Sequence, residues 1–315
     1  MLSIIIPVYK VAPYIGRCAR SLFAQTYPDI EFIFVDDASP DNSIDILQKV
    51  IEEFPTKKNQ IRILHNSQNK GLAATRFVGI DVAKGDYILN VDSDDWIEPT
   101  MVEEMMQTAI KSNADMVCCN IIKEYPDHKE MILKYDYDEE TINNGLLAMN
   151  FREHHVAIWN KLIRKSLFTD NDIRNYPGIN MGEDSALTVR LRYFSRKTVI
   201  IHKAFYHYNL SRQDSMVAKI TEDKVKERIE LAKKIEEFFV GEGEEERFRK
   251  VINFYKFQSK DWYLRERHAL RKWASIYPAC HRDIPHFRTL TRLGRLKWLL
   301  AAWTGAALQF LTVEQ

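Results

Sequence analysis

Between Gly85 and Pro99 the chain reads GDYILNVDSDDWIEP, which crowds three carboxylates, Asp92, Asp94 and Asp95, behind an apolar run. Carboxylates that close repel one another, and a fold tolerates them mainly when a cation sits between them. Hard oxygen donors suit Mg²⁺ or Mn²⁺, and an ion held by one or two carboxylates completes its shell with phosphate oxygens. The same residues would also serve as a solvated acidic turn or a helix-capping cluster. Two more acidic pairs recur, Asp36-Asp37 after EFIFV and Glu183-Asp184 ahead of Leu187, Leu191 and Phe194. For the first the alternative is a turn-and-cap role, and for the second a helix N-terminal acidic pair.

These clusters need elements to position them. Leu2 to Val8 and Glu31 to Val35 are short β-rich runs, Ile61 to Leu64 is a third, and Tyr87 to Val91 leads into the acidic cluster. Between them lie segments with helical spacing: Ile15, Cys18, Ala19, Leu22 and Phe23, then Ile44, Leu47, Val50, Ile51 and Phe54, then Leu72 to Lys84. Ser39 or Asp41 is available to cap the second helix, and Gly85 marks a stop for the third. Alternating strands and helices predict right-handed βαβ units and a mostly parallel sheet covered on both faces. Ligands bind such sheets at the carboxyl ends of the strands. Tyr9, Asp36 and Asp37, Asn69 and Lys70, and Asp92 and Asp94 would therefore converge on one rim. Met101 to Ile110 predicts a core-packed helix and Asp115 to Ile122 a fifth strand. Lys123 to Glu140 loosens into an antiparallel excursion or flap, and IWNKLI at Ile158 to Ile163 resumes order.

Composition narrows the classes. The 315 residues hold 45% hydrophobic and 28% charged residues, an ordinary globular balance, and the net charge of +1 offers nucleic acid no global attraction. The turn PVYKVAPY has no glycine, so a dinucleotide cradle is absent, and no G-x-x-x-x-G-K-[ST] phosphate loop occurs. Cys18, Cys118, Cys119 and Cys280 lack metal-ligand spacing, and the first residues show no basic leader or cleavage site. Both features lead to the expectation of a reduced, cytoplasmic protein.

PVYKVAPYIGRCARSLFAQTYPDIEFIFVDDASPDNS, NKGLAATRFVGI, GDYILNVDSDDW, IWNKLIRKSLF and MGEDSALTVRL, in that order, resemble the family 2 inverting glycosyltransferases of GT-A fold over roughly residues 2 to 215. The resemblance implies an α/β fold with a GT-A domain over 1–220. It implies transfer of a sugar from a nucleotide-diphosphate donor, often a uridine diphosphate sugar, to a hydroxyl of a glycan or lipid-linked acceptor. Polysaccharide and cell-envelope synthesis is the setting of many relatives. By this resemblance Pro7, Val8, Tyr9 and Asp37 hold the nucleotide base, with Asp36 supporting that loop. Lys70 and Arg76 contact the diphosphate, support the loop or are surface charges. Asp94 would ligate the divalent cation (Mn or Mg) directly, Asp92 would lie beside it near the ribose, and Ser93 between them. Asp95 would be structural or sugar-contacting. Asp184 matches the catalytic base, which must be made basic by burial or neighbouring carboxylates because a helix start lowers basicity. Trp159 and Asn160 would line the acceptor side, and His207, Arg212 and Ser215 the segment closing near the diphosphate. A sugar-phosphate nucleotidyltransferase is the alternative enzyme, though its glycine-rich first loop is missing, and a degenerate nucleotide- and metal-binding module is the non-catalytic one.

The sequence departs from the pattern at Ala38, where glycine is usual, which implies a turn without positive φ, and at Phe77, where asparagine is frequent. Residues 221–315 form a helical extension with no motif. Asp223 to Phe239 and Glu244 to Leu270 read as charged helices broken at Gly241-Glu242-Gly243. Arg282, Arg288, Arg292, Arg295 and Lys297 then precede the apolar run Trp298 to Val313, which is short of the roughly 18–20 residues of a spanning helix. That run either lies in a membrane interface, making the protein peripheral on the inner face of the cytoplasmic membrane, or packs on the protein's own core.

Overall fold

The computed structural model describes residues 1–132, 156–212, 220–265, 269–287 and 290–310. Four strands, β1 (Leu2–Val8), β2 (Ile30–Asp36), β3 (Ile61–His65) and β4 (Tyr87–Asn90), pair in parallel in the order β3-β2-β1-β4. Every residue of β1, β2 and β4 is buried, as expected of strands covered on both faces. Side chains alternate accordingly. Leu2, Ile4, Ile6 and Val8 face α1 (Ile15–Phe23) and α4 (Met101–Ser112), while Ile5 faces α3 (Leu72–Val82). The second helix, α2 (Ser43–Glu53), takes its capping carboxylate from Asp41, which accepts from the Ser43 backbone N–H. Gly85 does more than follow α3. A Cβ there would stand 2.5 Å from the Ser3 nitrogen, so the turn into β4 depends on the missing side chain.

Past β4 the sheet is mixed. It continues through β8 (Lys161–Arg164), antiparallel to β4, then β6 (Met116–Glu124), antiparallel to β8, and β9 (Thr198–Asn209), parallel to β6. The short β5 (Trp96–Ile97) closes the order by pairing antiparallel with β9. The expected excursion after Lys123 begins as a hairpin, with β7 (Lys129–Ile132) antiparallel to β6; its continuation lies outside the described residues. The β6–β9 register is irregular on either side of Asn120, and such bulges bend a strand. The C-terminal part of β9 thereby reaches the segment after β4.

Two short elements follow β8, α5 (Ser166–Thr169) and then α6 (Glu183–Phe194), which stacks beside α3 against Ile88 and Ile163. The extension consists of α7 (Glu222–Gly241), α8 (Glu245–Arg265), α9 (Leu270–Ser275), a 3₁₀ turn over Pro278–His286, and α10 (Arg292–Phe310). The break at Gly241-Glu242-Gly243 is where the sequence puts it; α8 is described to Arg265, residues 266–268 lie outside the described residues, and Ala269 is not helical. This extension shares its core with the sheet domain: Ile179, Ala186 and Val189 join Val225, Leu231 and Ile235. Of the apolar run from Trp298, the first tryptophan packs on that core against Phe257 and Trp273, whereas Trp303 faces outward. Residues 311–313 of the run lie outside the described residues.

Candidate active site

The parallel strands deliver their polar ends to one rim, and the guanidinium of Arg76 is the centre of what gathers there. Arg76 lies on α3 with 1% of its surface exposed. One of its terminal nitrogens donates to Asp92 Oδ1 at 2.8 Å. The other donates to Glu183 Oε1 at 3.0 Å and Asp184 Oδ1 at 2.5 Å. One buried cation therefore ties the acidic segment after β4 to the acidic pair opening α6, two stretches some ninety residues apart. Arg76 is thus not a surface charge but an internal counter-charge.

Asp184 also accepts, through Oδ2, from the Ile158 N–H at 3.3 Å. Burial raises its pKa; Arg76 pulls the other way, and Asp92 adds to the rise. Glu183 moves up as well, first through burial and then through Asp184, with Arg76 opposing. The two carboxyls titrate as a pair, and each is a stronger base than its position at a helix start would make it. That is the offset a proton acceptor at this place needs. Behind the Ile158 turn sits fully buried Lys161, which donates to Ala157 O and Asn160 Oδ1 and which burial pulls down to about 8.

Asp94 pairs with Arg212 at 3.0 Å. Its pKa is raised by burial and by Asp92, against the pull of Arg212. Asp95 is fully committed to structure: it accepts from the Tyr206 hydroxyl at 2.7 Å and the Asn209 N–H at 2.8 Å. Burial and its two acidic neighbours hold it well above the usual carboxylate range. Tyr206 in turn accepts from the Asp92 N–H, so β9 fixes the backbone of the whole D-S-D-D turn, with Ser93 buried within it. Among the described residues no group of three or more Asp, Glu, His or Cys forms a ready-made metal cage. Asp92 and Asp94 fit a different kind of site. They are two close carboxylates, each with one oxygen in an ion pair and lone-pair sites to spare. Those free sites could hold a hard divalent cation whose other ligands come from elsewhere.

The remaining expected residues divide. Asp37 is on the rim, but its carboxylate is spent on the loop after β3, accepting from Asn66 Nδ2, the Lys70 N–H and the Gly71 N–H at 2.8, 2.8 and 3.0 Å. Asp36 accepts from the Ser39 N–H and pairs with His65. The pair thus holds the turn and the neighbouring loop in shape beside buried Pro7 and Val8 and exposed Tyr9, with Lys70 exposed at the loop's end. Between Asp37 and Ser39 the expectation about Ala38 fails: its φ is +55°, so the turn has the left-handed geometry and an alanine endures it. Trp159 is buried in a stack with Tyr206 and Tyr208, and Asn160 has no exposed surface, its amide donating to Cys119 O. His207 turns to Glu124 and Glu98, at 2.7 and 2.8 Å, not to the Asp92–Asp94 cluster. Ser215 lies outside the described residues.

Two contributors carried no sequence signal that was read. Glu227 of α7 accepts from the consecutive N–H groups of Asn180 and Met181, both at 2.9 Å, immediately before the Gly182-Glu183-Asp184 turn. Gly182 has φ +91°, and a Cβ there would sit 2.8 Å from Leu231 Cδ2 of the same helix. The motif-free extension therefore sets the start of α6. Asn90, on β4 with its side chain on the α3 and α6 face, is buried with neither amide atom partnered among the described residues. Arg76 Nε, on that same face, is unpartnered too.

A model of glycosyl transferase family 2 matches residues 3–171. EpsH of Bacillus subtilis is 32% identical over 214 residues, covering 66% of this chain and 60% of its own length. Glycosyltransferase GlyG of Streptococcus pneumoniae is 30% identical over 219 residues, covering 66% of this chain and 70% of its own. The chain thus spans about three fifths of the first relative's length. Among solved structures, S. aureus TarS 1-349 in complex with UDP-GlcNAc superposes with a TM-score of 0.72 at 19% identity, over 98% of this chain and 91% of that one. A mannosyltransferase from Pyrobaculum calidifontis, in complex with GDP-Man and Mn2+, does so with a TM-score of 0.52 at 14% identity, over 98% and 80%. At such identities the likeness is one of fold, and the mixed sheet flanked by helices is the GT-A arrangement.

Proposed function

The chain belongs to glycosyl transferase family 2, and from that premise we propose that it is an inverting transferase moving a sugar from a nucleoside-diphosphate donor to a hydroxyl of a glycan or lipid-linked acceptor. The observation that carries this reading is the buried Arg76, which brings Asp184 and the Asp92–Asp94 turn to one place while both acidic groups keep raised or repelling carboxylates. Inversion needs a single base on the acceptor side, and Asp184 would take the proton from the attacking hydroxyl. Asp92 and Asp94 would hold a divalent cation, which when bound supplies Lewis-acid relief of charge on the departing diphosphate. Tyr9, with the turn built on Asp36 and Asp37, would bound the nucleotide base, and Lys70 stands exposed beside them. A uridine donor is our choice, supported by TarS and its UDP-GlcNAc; the guanosine donor of the archaeal neighbour is the competing choice. The protein would work in the cytoplasm, peripherally at the membrane, in glycan assembly.

The test is a panel of uridine and guanosine diphosphate sugars with Mn²⁺, read by thermal shift and by release of nucleoside diphosphate. A uridine sugar should stabilise the fold, since a ligand of the native state does so by mass action. Asp184→Asn should keep that shift and lose transfer. Transfer at the wild-type rate in Asp184→Asn removes the base, and exchange of pyrophosphate in place of diphosphate release indicates a nucleotidyltransferase.

A further inference from the structure

Helix α10 has two opposite faces. Trp298 and Gly305 are buried against the extension, the glycine lying so close that a Cβ would stand 2.5 Å from Ala274 Cβ. On the other side Leu293, Leu296, Leu300 and Trp303 are exposed, Leu293 by 77% and Trp303 by 72%. Their spacing of three, four and three residues aligns them in one stripe. Large apolar side chains grouped in this way mark an interaction surface rather than scattered surface hydrophobics.

Charge identifies what that surface meets. Residues 269–310 hold seven lysines and arginines and one acid, Asp283, in a chain whose net charge is only +1. Asp283 is itself buried, and the helix carries Arg292, Arg295 and Lys297 and no acid. A second copy of the chain docked through the same stripe would bring these cations against each other, whereas an anionic surface would neutralise them. Among the described residues no helix is long and apolar enough to cross a membrane. A helix with an apolar stripe bordered by basic residues and bearing an outward tryptophan lies in the plane of a bilayer surface.

We propose that the Leu293–Leu296–Leu300–Trp303 face of α10, flanked by exposed Arg292 and Lys297, is a docking site for an anionic lipid bilayer. Docking is a property of this helix alone, so it stands or falls independently of the transfer reaction. Near an anionic surface each basic residue is worth roughly fivefold in partitioning, so binding must fall with salt.

The full chain is sedimented with phosphatidylcholine vesicles and with vesicles containing phosphatidylglycerol, at low and at high salt. Wild type should pellet with the anionic vesicles at low salt and at least tenfold less with the zwitterionic ones. Leu296→Ser combined with Leu300→Ser and Trp303→Ser, all on the exposed face, should abolish pelleting while leaving the thermal midpoint in place. Arg292→Ser with Lys297→Ser should weaken it about 25-fold, two residues at roughly fivefold each, and flatten its salt dependence. Equal binding to both vesicle types, or none to either, overturns the proposal. So does a dimer by light scattering that the stripe substitutions dissociate, since the face would then belong to a second copy.

Discussion

Replacing Arg76 with methionine keeps most of the stem's volume and removes the cation that Asp92, Glu183 and Asp184 share among the described residues. Stripping one partner from a buried ion pair costs about 3–5 kcal/mol, because the remaining charge is left without compensation. Here three carboxylates remain, and they respond by taking up protons. Glu183 and Asp184 already have raised values in the wild type. A carboxyl raised by folding is held more protonated in the native state than in the unfolded chain. It favours the fold at pH below its unfolded value, and that advantage disappears as pH rises through the folded value. Without Arg76 the folded values rise further, so Arg76→Met should lose about 3–5 kcal/mol at pH 8. One additional proton retained over one to two pH units narrows that deficit by about 2 kcal/mol at pH 5, at about 1.4 kcal/mol per unit. Urea denaturation of both proteins at pH 5, 6.5 and 8 measures it. A deficit that stays level across this range, or one that widens on acidification, refutes the shared-counter-ion account. Arg76→Lys should recover only part of the loss, since an ammonium cannot reach three carboxylates with a planar fork.

Ala38→Gly should stabilise the protein by up to about 1 kcal/mol, the relief of a left-handed alanine exceeding the added freedom of the unfolded chain; a lower denaturation midpoint contradicts this. Glu227→Ala strands two backbone donors ahead of α6 and should cost about 1–3 kcal/mol, with transfer falling more than donor binding. Glu227→Gln should restore most of both, and equal losses in the two variants would show that charge, not the carbonyl-type acceptor, is what matters. Asn90→Leu removes a buried amide with no partner among the described residues and should raise stability by about 1–3 kcal/mol in urea. A fall of that size would instead show that the amide is satisfied in solution.

The sequence was most informative where periodicity and strand ends act together. The four parallel strands and three intervening helices follow from short apolar runs and helical spacing, and the parallel order sets the strands' carboxyl ends along one edge of the sheet. What lay beyond the reach of local pattern was partner choice. Nothing in AATRFVG distinguishes an arginine facing phosphate from one facing three carboxylates, because the difference is made by α6, about a hundred residues later. Asp95 and Asp94 are neighbours of the same type, and only β9 decides that one is fixed by Tyr206 and Asn209 while the other meets Arg212. The mixed half of the sheet was equally hidden, since β8 enters after a long excursion and its direction is not written in its own four residues. Ala38 shows the converse error. Reading alanine as proof of an ordinary φ ignores that a turn held by Asp36 and Asp37 can impose the left-handed conformation on it.

These partners also explain how so acidic a centre survives folding. Asp92, Asp94, Asp95, Glu183 and Asp184 bring five carboxyls together, and Arg76 and Arg212 are the guanidinium groups that pair with them. The two arginines stand in different situations. Arg76 is enclosed on α3 and bound to three partners at once, so leaving would expose three charges together. Arg212 lies three residues past the end of β9 and pairs with Asp94. Burial is the first cause that raises Asp94, Asp95, Glu183 and Asp184 alike, so each holds a proton more readily than a free carboxyl. The same low-dielectric setting that makes the cluster costly also makes Asp184 basic, so the stability given up there and the proton affinity gained have a single cause.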